Sequence, residues 1–345
     1  MSAKHHVIKT ASALAVASGA AELARKRYGG RGTIFMLHSV LDDSDVLPQD
    51  NTHTSLRFLK MALDYCRSKK LEIVTLSEAM RRLRLPATEP FVCFTFDDGY
   101  RDNVTRALPL FRQYNAPLTI YVTTSFLDRS YGEYWWGQLR HVIHEAAQLE
   151  VEAIGRKFKL ERPKDKAAAY RELAAAINRN EWNLEDANTL FERRGVSVVE
   201  ALDRDAMTDA ELVQYARDPL LEIGGHTTSH KRLAQLNDAE AFVEITQNKD
   251  YLEQLLNREV SHLAYPYGDA KSCGDRDFRL ARRANFKTAV TTRFGNLFQQ
   301  HTNDETALPR ARFIGGCESL AFLEAQRLGL IAAMASRFGN PVVTS

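Results

Sequence analysis

The sequence predicts an α/β fold built on a parallel sheet, and three observations carry that prediction. Short apolar runs rich in β-branched residues alternate with amphipathic helical stretches along most of the 345 residues, as parallel strands joined by crossover helices require. Several of the runs are too uniformly apolar to keep one face in water, so helices cover both sides of the sheet. The most distinctive polar motifs sit at the ends of apolar runs, and in parallel folds the loops after the strand C-termini form the functional face.

Strands are expected at 33–38, 71–75, 91–96, 118–123, 220–223, 260–265 and 287–292. Pattern alone does not separate a closed barrel of such strands from an open doubly wound sheet. Thr208 with Glu211, and Asn237 with Glu240, each place a capping oxygen three residues before an acid and mark helix starts. After Asn237, the residues Phe242, Ile245, Leu252, Leu255 and Leu256 keep a helical period and give one apolar face to pack on the sheet. From about 132 to 205 the chain is rich in Ala, Glu, Lys and Arg and reads as several helices with no strand between them, a helical insertion whose mixed charges suit a solvated face. No fixed-period repeat or low-complexity linker divides the chain, so one elaborated domain is expected.

A 44% hydrophobic and 26% charged composition is that of a folded globular protein. A net charge of +2 with no dense basic block leaves no electrostatic footprint for nucleic acid. Cys66, Cys93, Cys273 and Cys317 lie far apart, outside the close spacing of thiolate zinc or redox sites, and read as buried free thiols. The uncharged stretch from Thr10 to Ala21 follows Lys4 and Lys9 and is faintly signal-like, but Leu14 and Val16 are its only larger apolar residues. It is too short to span a bilayer and too poor in large apolar residues for a secretory core, so an Ala-rich docking helix and a cytoplasmic location are expected.

Three segments carry chemistry. In Phe94-Thr95-Phe96-Asp97-Asp98-Gly99-Tyr100 an apolar strand runs into two adjacent carboxylates, which point in different directions and can serve one site in different roles. Alone, such a segment is equally an ordinary turn. In Gly224-Gly225-His226-Thr227-Thr228-Ser229-His230 two histidines lie four residues apart, so their imidazoles converge if the segment coils, with the glycines expected to let the backbone turn. Two imidazoles and a carboxylate with an open position make a hydrolytic metal site, and the remaining carboxylate is then free to act as general base. Tyr265-Pro266-Tyr267-Gly268-Asp269 again follows an apolar run with stiff-then-flexible punctuation.

These residues resemble the motifs of the polysaccharide deacetylase family, carbohydrate esterase family 4, with its NodB homology domain. Thr95-Phe96-Asp97-Asp98-Gly99 is similar to the first motif, His226-Thr227-Thr228-Ser229-His230 to the second, H-[ST]-x-x-H, and Tyr265-Pro266-Tyr267-Gly268 to the core of the third. The resemblance runs from about residue 33 to 313. It implies a distorted (β/α)7 barrel, here with the insertion after the fourth predicted strand. The corresponding organisation is an N-terminal helical extension (1–30), a deacetylase domain (31–315) and a C-terminal helix and tail (316–345).

By the same resemblance Asp97 is the catalytic base, while Asp98, His226 and His230 hold a divalent metal, usually zinc, with cobalt or nickel as alternatives. Base and metal activate the water that attacks the acetamide carbonyl, and the backbone N–H of Tyr267, placed by Pro266, helps hold the oxyanion. Two departures are visible. The position at which many members carry an arginine that orients the base is Ala264, which makes Arg310 a candidate for that duty. The late Leu-x-His motif is represented by Leu308-Pro309-Arg310, whose arginine cannot readily donate a proton, so His38 at the end of the first strand is the substitute general acid. Tyr100, Trp135 and Trp136 are expected to offer stacking surface to a sugar ring, with packing of the insertion as the alternative for the tryptophans. The partner is an acetylated glycan or glycolipid. Two rival readings remain, a non-catalytic metal-bearing carbohydrate-binding protein and an O-acetyl esterase.

Overall fold

In a computed structural model that describes residues 3–42, 52–130, 133–314 and 318–343, seven parallel strands close into a barrel. They are β1 (Gly32–Leu37), β2 (Phe91–Phe96), β3 (Leu118–Val122), β4 (Leu221–Gly225), β5 (His262–Ala264), β6 (Thr288–Phe294) and β7 (Leu308–Arg312). Neighbours follow chain order, and β1 closes the ring by pairing with both β2 and β7. Its register on β2 runs from Gly32↔Phe91 to Leu37↔Phe96, so the two strands end level at the face where the carboxylates emerge.

Six of the seven predicted strands belong to this ring. The seventh, 71–75, is a two-residue strand, Glu72–Ile73, that pairs only with the start of β2. The strand that completes the barrel is β7, hidden in the sequence by Pro309 and by two arginines. Proline is tolerated there because the β6–β7 register shifts between Val290 and Phe294, which relieves the ladder of one donor.

Alternation along each strand sorts its side chains. On β2, Val92, Phe94 and Phe96 enter the large cluster under the surrounding helices, with Phe94 edge-on to Phe111 at 5.3 Å. Phe91 and Cys93 instead join Ile34, Tyr121, Ala264, Val290 and Leu308 in a second cluster. Period two therefore carries Thr95 and Asp97 to that second side.

The two predicted capping boxes are present, opening helices Asp209–Tyr215 and Asp238–Leu256. Along the second, Ile245 and Leu252 are buried, while Phe242, Leu255 and Leu256 pack on the same core. Cys66, Cys93 and Cys273 are buried and free, whereas Cys317 lies outside the described residues.

The insertion follows β3, and its expected first residue, Gly132, is outside the described residues. It contains helices Trp135–Glu145, Pro163–Asn178, Leu184–Arg193 and Val198–Asp205. The expectation of helices alone is corrected by an antiparallel hairpin, Gln148–Val151 with Arg156–Lys159. Leu149 and Val151 alternate inward, and Gly155 turns the chain at φ +62°. Trp182, Phe191, Leu173 and Leu139 give the insertion its own core, continuous with Tyr100 and Phe126 of the barrel loops.

The N-terminal stretch forms two helices, Ala3–Ala17 and Ala20–Tyr28, broken at Gly19, which is left-handed at φ +79°. They pack against helices Leu320–Arg327 and Leu330–Ala335 near the C-terminus. Close approach requires Gly329, since a Cβ there would lie 2.1 Å from the Tyr28 carbonyl oxygen.

Candidate metal and catalytic site

All three predicted motifs meet at the C-terminal mouth of the barrel. Asp97 continues β2, its N–H donating to the Leu37 carbonyl at 2.9 Å. Asp98 then takes φ +76° and Gly99 φ +77°, a pair of left-handed residues that turns the chain and separates the two carboxylates. Non-glycine residues rarely hold that conformation, and such backbone concentrates at functional sites.

The histidine loop is not a helical turn. Thr227 and His230 adopt φ +62° and +60°, and the backbone folds back through them. Nor do the glycines supply the turn, because both lie within β4 and neither is left-handed. They supply space: a Cβ on Gly224 would meet the Tyr121 ring at 2.5 Å, and one on Gly225 the Asn248 Oδ1 at 2.3 Å. Asn248 uses that space to donate to the Val122 and Thr227 carbonyls at 3.0 and 2.7 Å, tying the ends of β3 and β4 together.

His226 Nε2 and His230 Nε2 each lie 3.3 Å from Asp98 Oδ1. That oxygen is buried and accepts no hydrogen bond among the described residues. An orphaned buried carboxylate oxygen facing two imidazole nitrogens is costly unless a cation sits among them. The three donor atoms lie within 4.8 Å of one another, and about 3.3 Å is the edge of a tetrahedron with zinc–ligand bonds of about 2.0–2.1 Å. His226 Nδ1 is 2.7 Å from the Ala264 carbonyl, which fixes the ring with Nε2 facing the site. The donor set therefore fits a divalent metal.

Asp97 is held apart from this group. Arg310, fully buried, donates from Nη1 to Asp97 Oδ1 and from Nη2 to Oδ2, both at 2.7 Å, and is itself steadied by the Thr291 carbonyl at 2.9 Å and Thr95 Oγ1 at 3.1 Å. Burial alone would push the Asp97 carboxyl up, but the Arg310 charge and its two hydrogen bonds outweigh it and hold the group below the usual carboxylate range. At Asp98 burial is likewise opposed, here by His226 and His230, which keep it ionised. Burial dominates at His230 and favours the neutral imidazole that metal binding needs. At His226 the two carboxylates outweigh burial and favour the proton, which competes with a cation for Nε2.

A cavity of about 420 Å³ opens over these groups, lined by His38, Asp97, Asp98, His226, His230 and Tyr267 from the barrel. His38 Nε2 is 4.0 Å from Asp97 Oδ2. Tyr267 is left-handed at φ +60°, and its N–H donates to nothing among the described residues. The next residue must be glycine, since Gly268 has φ +62° and a Cβ there would lie 2.7 Å from the Thr292 nitrogen.

A model of the polysaccharide deacetylase family matches residues 84–288, more than half of the chain. The chain belongs to the polysaccharide deacetylase family. Among solved structures, it is similar to the Streptococcus pyogenes deacetylase PplD in complex with acetate, at 19% identity over 84% of this chain and 95% of that one, with a TM-score of 0.55. IcaB from Ammonifex degensii is similar at 16% identity over 87% and 98%, TM-score 0.56. BC0361, a polysaccharide deacetylase from Bacillus cereus, is similar at 13% identity over 86% and 68%, TM-score 0.54. At such identities the likeness is one of fold. No curated protein sequence matches the chain. Family membership makes the protein a hydrolase that deacetylates glycans.

Not every predicted residue of this deacetylase reaches the cavity. Tyr100 is only 2% exposed; its hydroxyl accepts from Trp136 Nε1 at 2.9 Å, and its ring packs in the insertion's core, leaving no free face for a sugar. Trp135 and Trp136 pack into that core, the alternative expected for them, and both also line the cavity, with Trp136 4.7 Å from the His230 ring. Sequence reasoning missed the far wall. Tyr170, Arg171, Ala174, Ala175 and Asn178, one face of helix Pro163–Asn178, close the cavity, and Arg232 bridges to Asn178 Oδ1 at 2.6 Å. The available signal was the helical spacing of those residues within a stretch whose charges suit solvent equally well.

Proposed function

We propose that the protein is a divalent-metal-dependent N-deacetylase of N-acetylhexosamine-containing polysaccharides, oligosaccharides or glycolipids. The observation that carries this reading is the division of the carboxylates: Asp98 faces two imidazoles with an oxygen to spare, while Asp97, next in sequence, is clamped by Arg310. Asp98, His226 and His230 would hold a divalent cation, zinc in preference to cobalt or nickel, which would supply Lewis-acid polarisation and make a nearby water easier to deprotonate. Asp97, kept ionised and oriented by Arg310, takes the proton of the attacking water. The Tyr267 N–H, presented after Pro266, donates to the oxygen that becomes negative as the carbonyl is attacked. His38 hands a proton to the departing amine, a duty Arg310 cannot perform.

Ala264 leaves the base without an arginine from the third motif, and Arg310 supplies the guanidinium from β7 instead, which supports turnover over binding alone. Acetate release from N-acetylglucosamine oligomers, measured with added zinc or cobalt, tests the reading. Release that survives chelation, or binding without release, rejects it. Faster cleavage of O-acetyl than N-acetyl substrates would reassign the enzyme as an esterase.

A further inference from the structure

Nine large apolar side chains are exposed among the described residues, and five of them, Val7, Leu14, Leu23, Met334 and Phe338, lie on the paired helices near the two ends of the chain or in the turn after the last. Such concentration marks a surface with a partner. On helix Ala3–Ala17, Val7, Ala11 and Leu14 are all exposed and recur at i, i+4 and i+7, one stripe along the helix, while Ser12 faces inward at 3% exposure. From Thr10 to Ala21 the sequence carries no charge at all. Water is a poor solvent for that face.

Its surroundings name the partner. Residues 3–28 and 330–343 hold six Lys and Arg against a single acid, Glu22, which pairs with Arg25 at 2.6 Å. Lys26 and Arg27 follow Leu23 by three and four positions, and Arg337 precedes Phe338, whose ring lies 6.5 Å from Tyr28. Apolar side chains interleaved with cations match an anionic lipid surface, where the apolar groups enter the headgroup boundary and the cations meet the phosphates. A second copy of the chain fits less well, because a two-fold contact would set each cationic patch against itself. No single helix among the described residues is long and apolar enough to cross a membrane; Val7–Ala17 and Ala20–Tyr28 reach that length and composition only together, and they bend by 88°.

The same helix borders a groove next to the active site. That groove shares His38, Thr52, Asn178, Tyr267 and Thr292 with the metal-site cavity and is lined also by Ile8. We propose that the helices near the two ends of the chain dock on an anionic lipid bilayer and set the open end of the active-site groove at the headgroups, where a lipid-linked glycan would be presented. The docking goes beyond the deacetylase reading and can fail without it.

Cosedimentation of the full chain with vesicles of phosphatidylcholine, with and without phosphatidylglycerol, tests the proposal. The wild type should pellet with the anionic vesicles. The Leu14→Asp/Leu23→Asp variant should lose about tenfold or more in vesicle affinity, since it removes two apolar contacts and adds two repelled charges. Lys26→Glu, at an exposed position, should weaken binding without touching the apolar stripe. Acetate release from soluble oligomers should be unchanged in both variants, so a failed docking result and a failed deacetylase result are read separately. The proposal is overturned by a wild type that stays in the supernatant, by variants that pellet equally well, or by light scattering that shows a dimer dispersed by the same substitutions.

Discussion

Replacing Arg310 by methionine tests the reasoning about the base most directly. The guanidinium is fully buried and makes four hydrogen bonds, two of them to Asp97 at 2.7 Å. Methionine fills much of the volume and removes the charge, leaving a carboxylate at 2% exposure without the guanidinium that binds both its oxygens. Breaking a buried pair from one side costs about 3–5 kcal/mol, and an arginine beside an aspartate typically depresses its pKa by about 1–3 units. In the wild type the Asp97 pKa is depressed, so its contribution to stability is present above the ordinary carboxylate range and fades as pH falls. In Arg310→Met the largest charge opposing burial is gone and only His226 and His38 still offset it, so the Asp97 contribution to stability above the ordinary carboxylate range should shrink, and the acid limb of kcat/KM should move up by about 1–3 units. Urea unfolding at several pH values and a pH–rate profile read both effects. An Asp97→Asn/Arg310→Met double variant should recover much of the lost stability, because no charge is left stranded. A pH-independent loss below about 1 kcal/mol, with an unmoved acid limb, would refute the assignment of Arg310 as the group that holds the base.

Three further outcomes are expected. Asp97→Asn should abolish acetate release while keeping bound metal by mass spectrometry, whereas Asp98→Asn and His226→Ala should lose the metal; equal loss in all three would exchange the assignments of base and ligand. Gly268→Ala forces a Cβ to 2.7 Å from the Thr292 nitrogen at φ +62°, so it should cost about 1–3 kcal/mol in thermal unfolding and lower kcat more than it raises KM, by displacing the Tyr267 N–H. Burial pushes the Asp102 carboxyl up to about 7 despite the Ser39 hydroxyl that donates to it. Its folded pKa is raised, so stability is full below the ordinary carboxylate range and is lost as pH rises toward 7; Asp102→Asn should flatten that slope and, after discounting for partial exposure, gain about 1–2 kcal/mol at pH 8 by urea unfolding.

The parts of the molecule that repeat a local rule were readable from the sequence. Phe91–Phe96 is uniformly apolar because it is covered on both sides, and its limits are those of β2. The boxes at Thr208 and Asn237 are set within four residues of chain and need no tertiary knowledge. The four residues of the metal-site motifs stood at strand ends, where topology alone brings separate loops to one face. What was hidden depended on distant partners. Arg310 is a candidate for orienting the base only by the family resemblance; its own neighbourhood, beside a proline, shows neither its strand nor its burial, and both depend on Asp97 across the barrel. Gly224 and Gly225 read as a turn because nothing nearby in the chain reveals Tyr121 and Asn248, the groups that claim the missing side chains' space. Tyr100 follows a catalytic motif by one position, yet the left-handed pair at Asp98 and Gly99 swings it away from the cavity and into the insertion.

That insertion closes one side of the cavity while every residue proposed to bind metal or move a proton comes from the barrel. The residues proposed for chemistry and the wall that faces them thus lie in different stretches of chain, one enclosed by seven strands and the other held on a core of its own. Substitutions on the outer jaw, at the face that carries Tyr170, Arg171 and Asn178, would therefore reshape the cavity while leaving the proposed metal ligands and proton-moving residues in place.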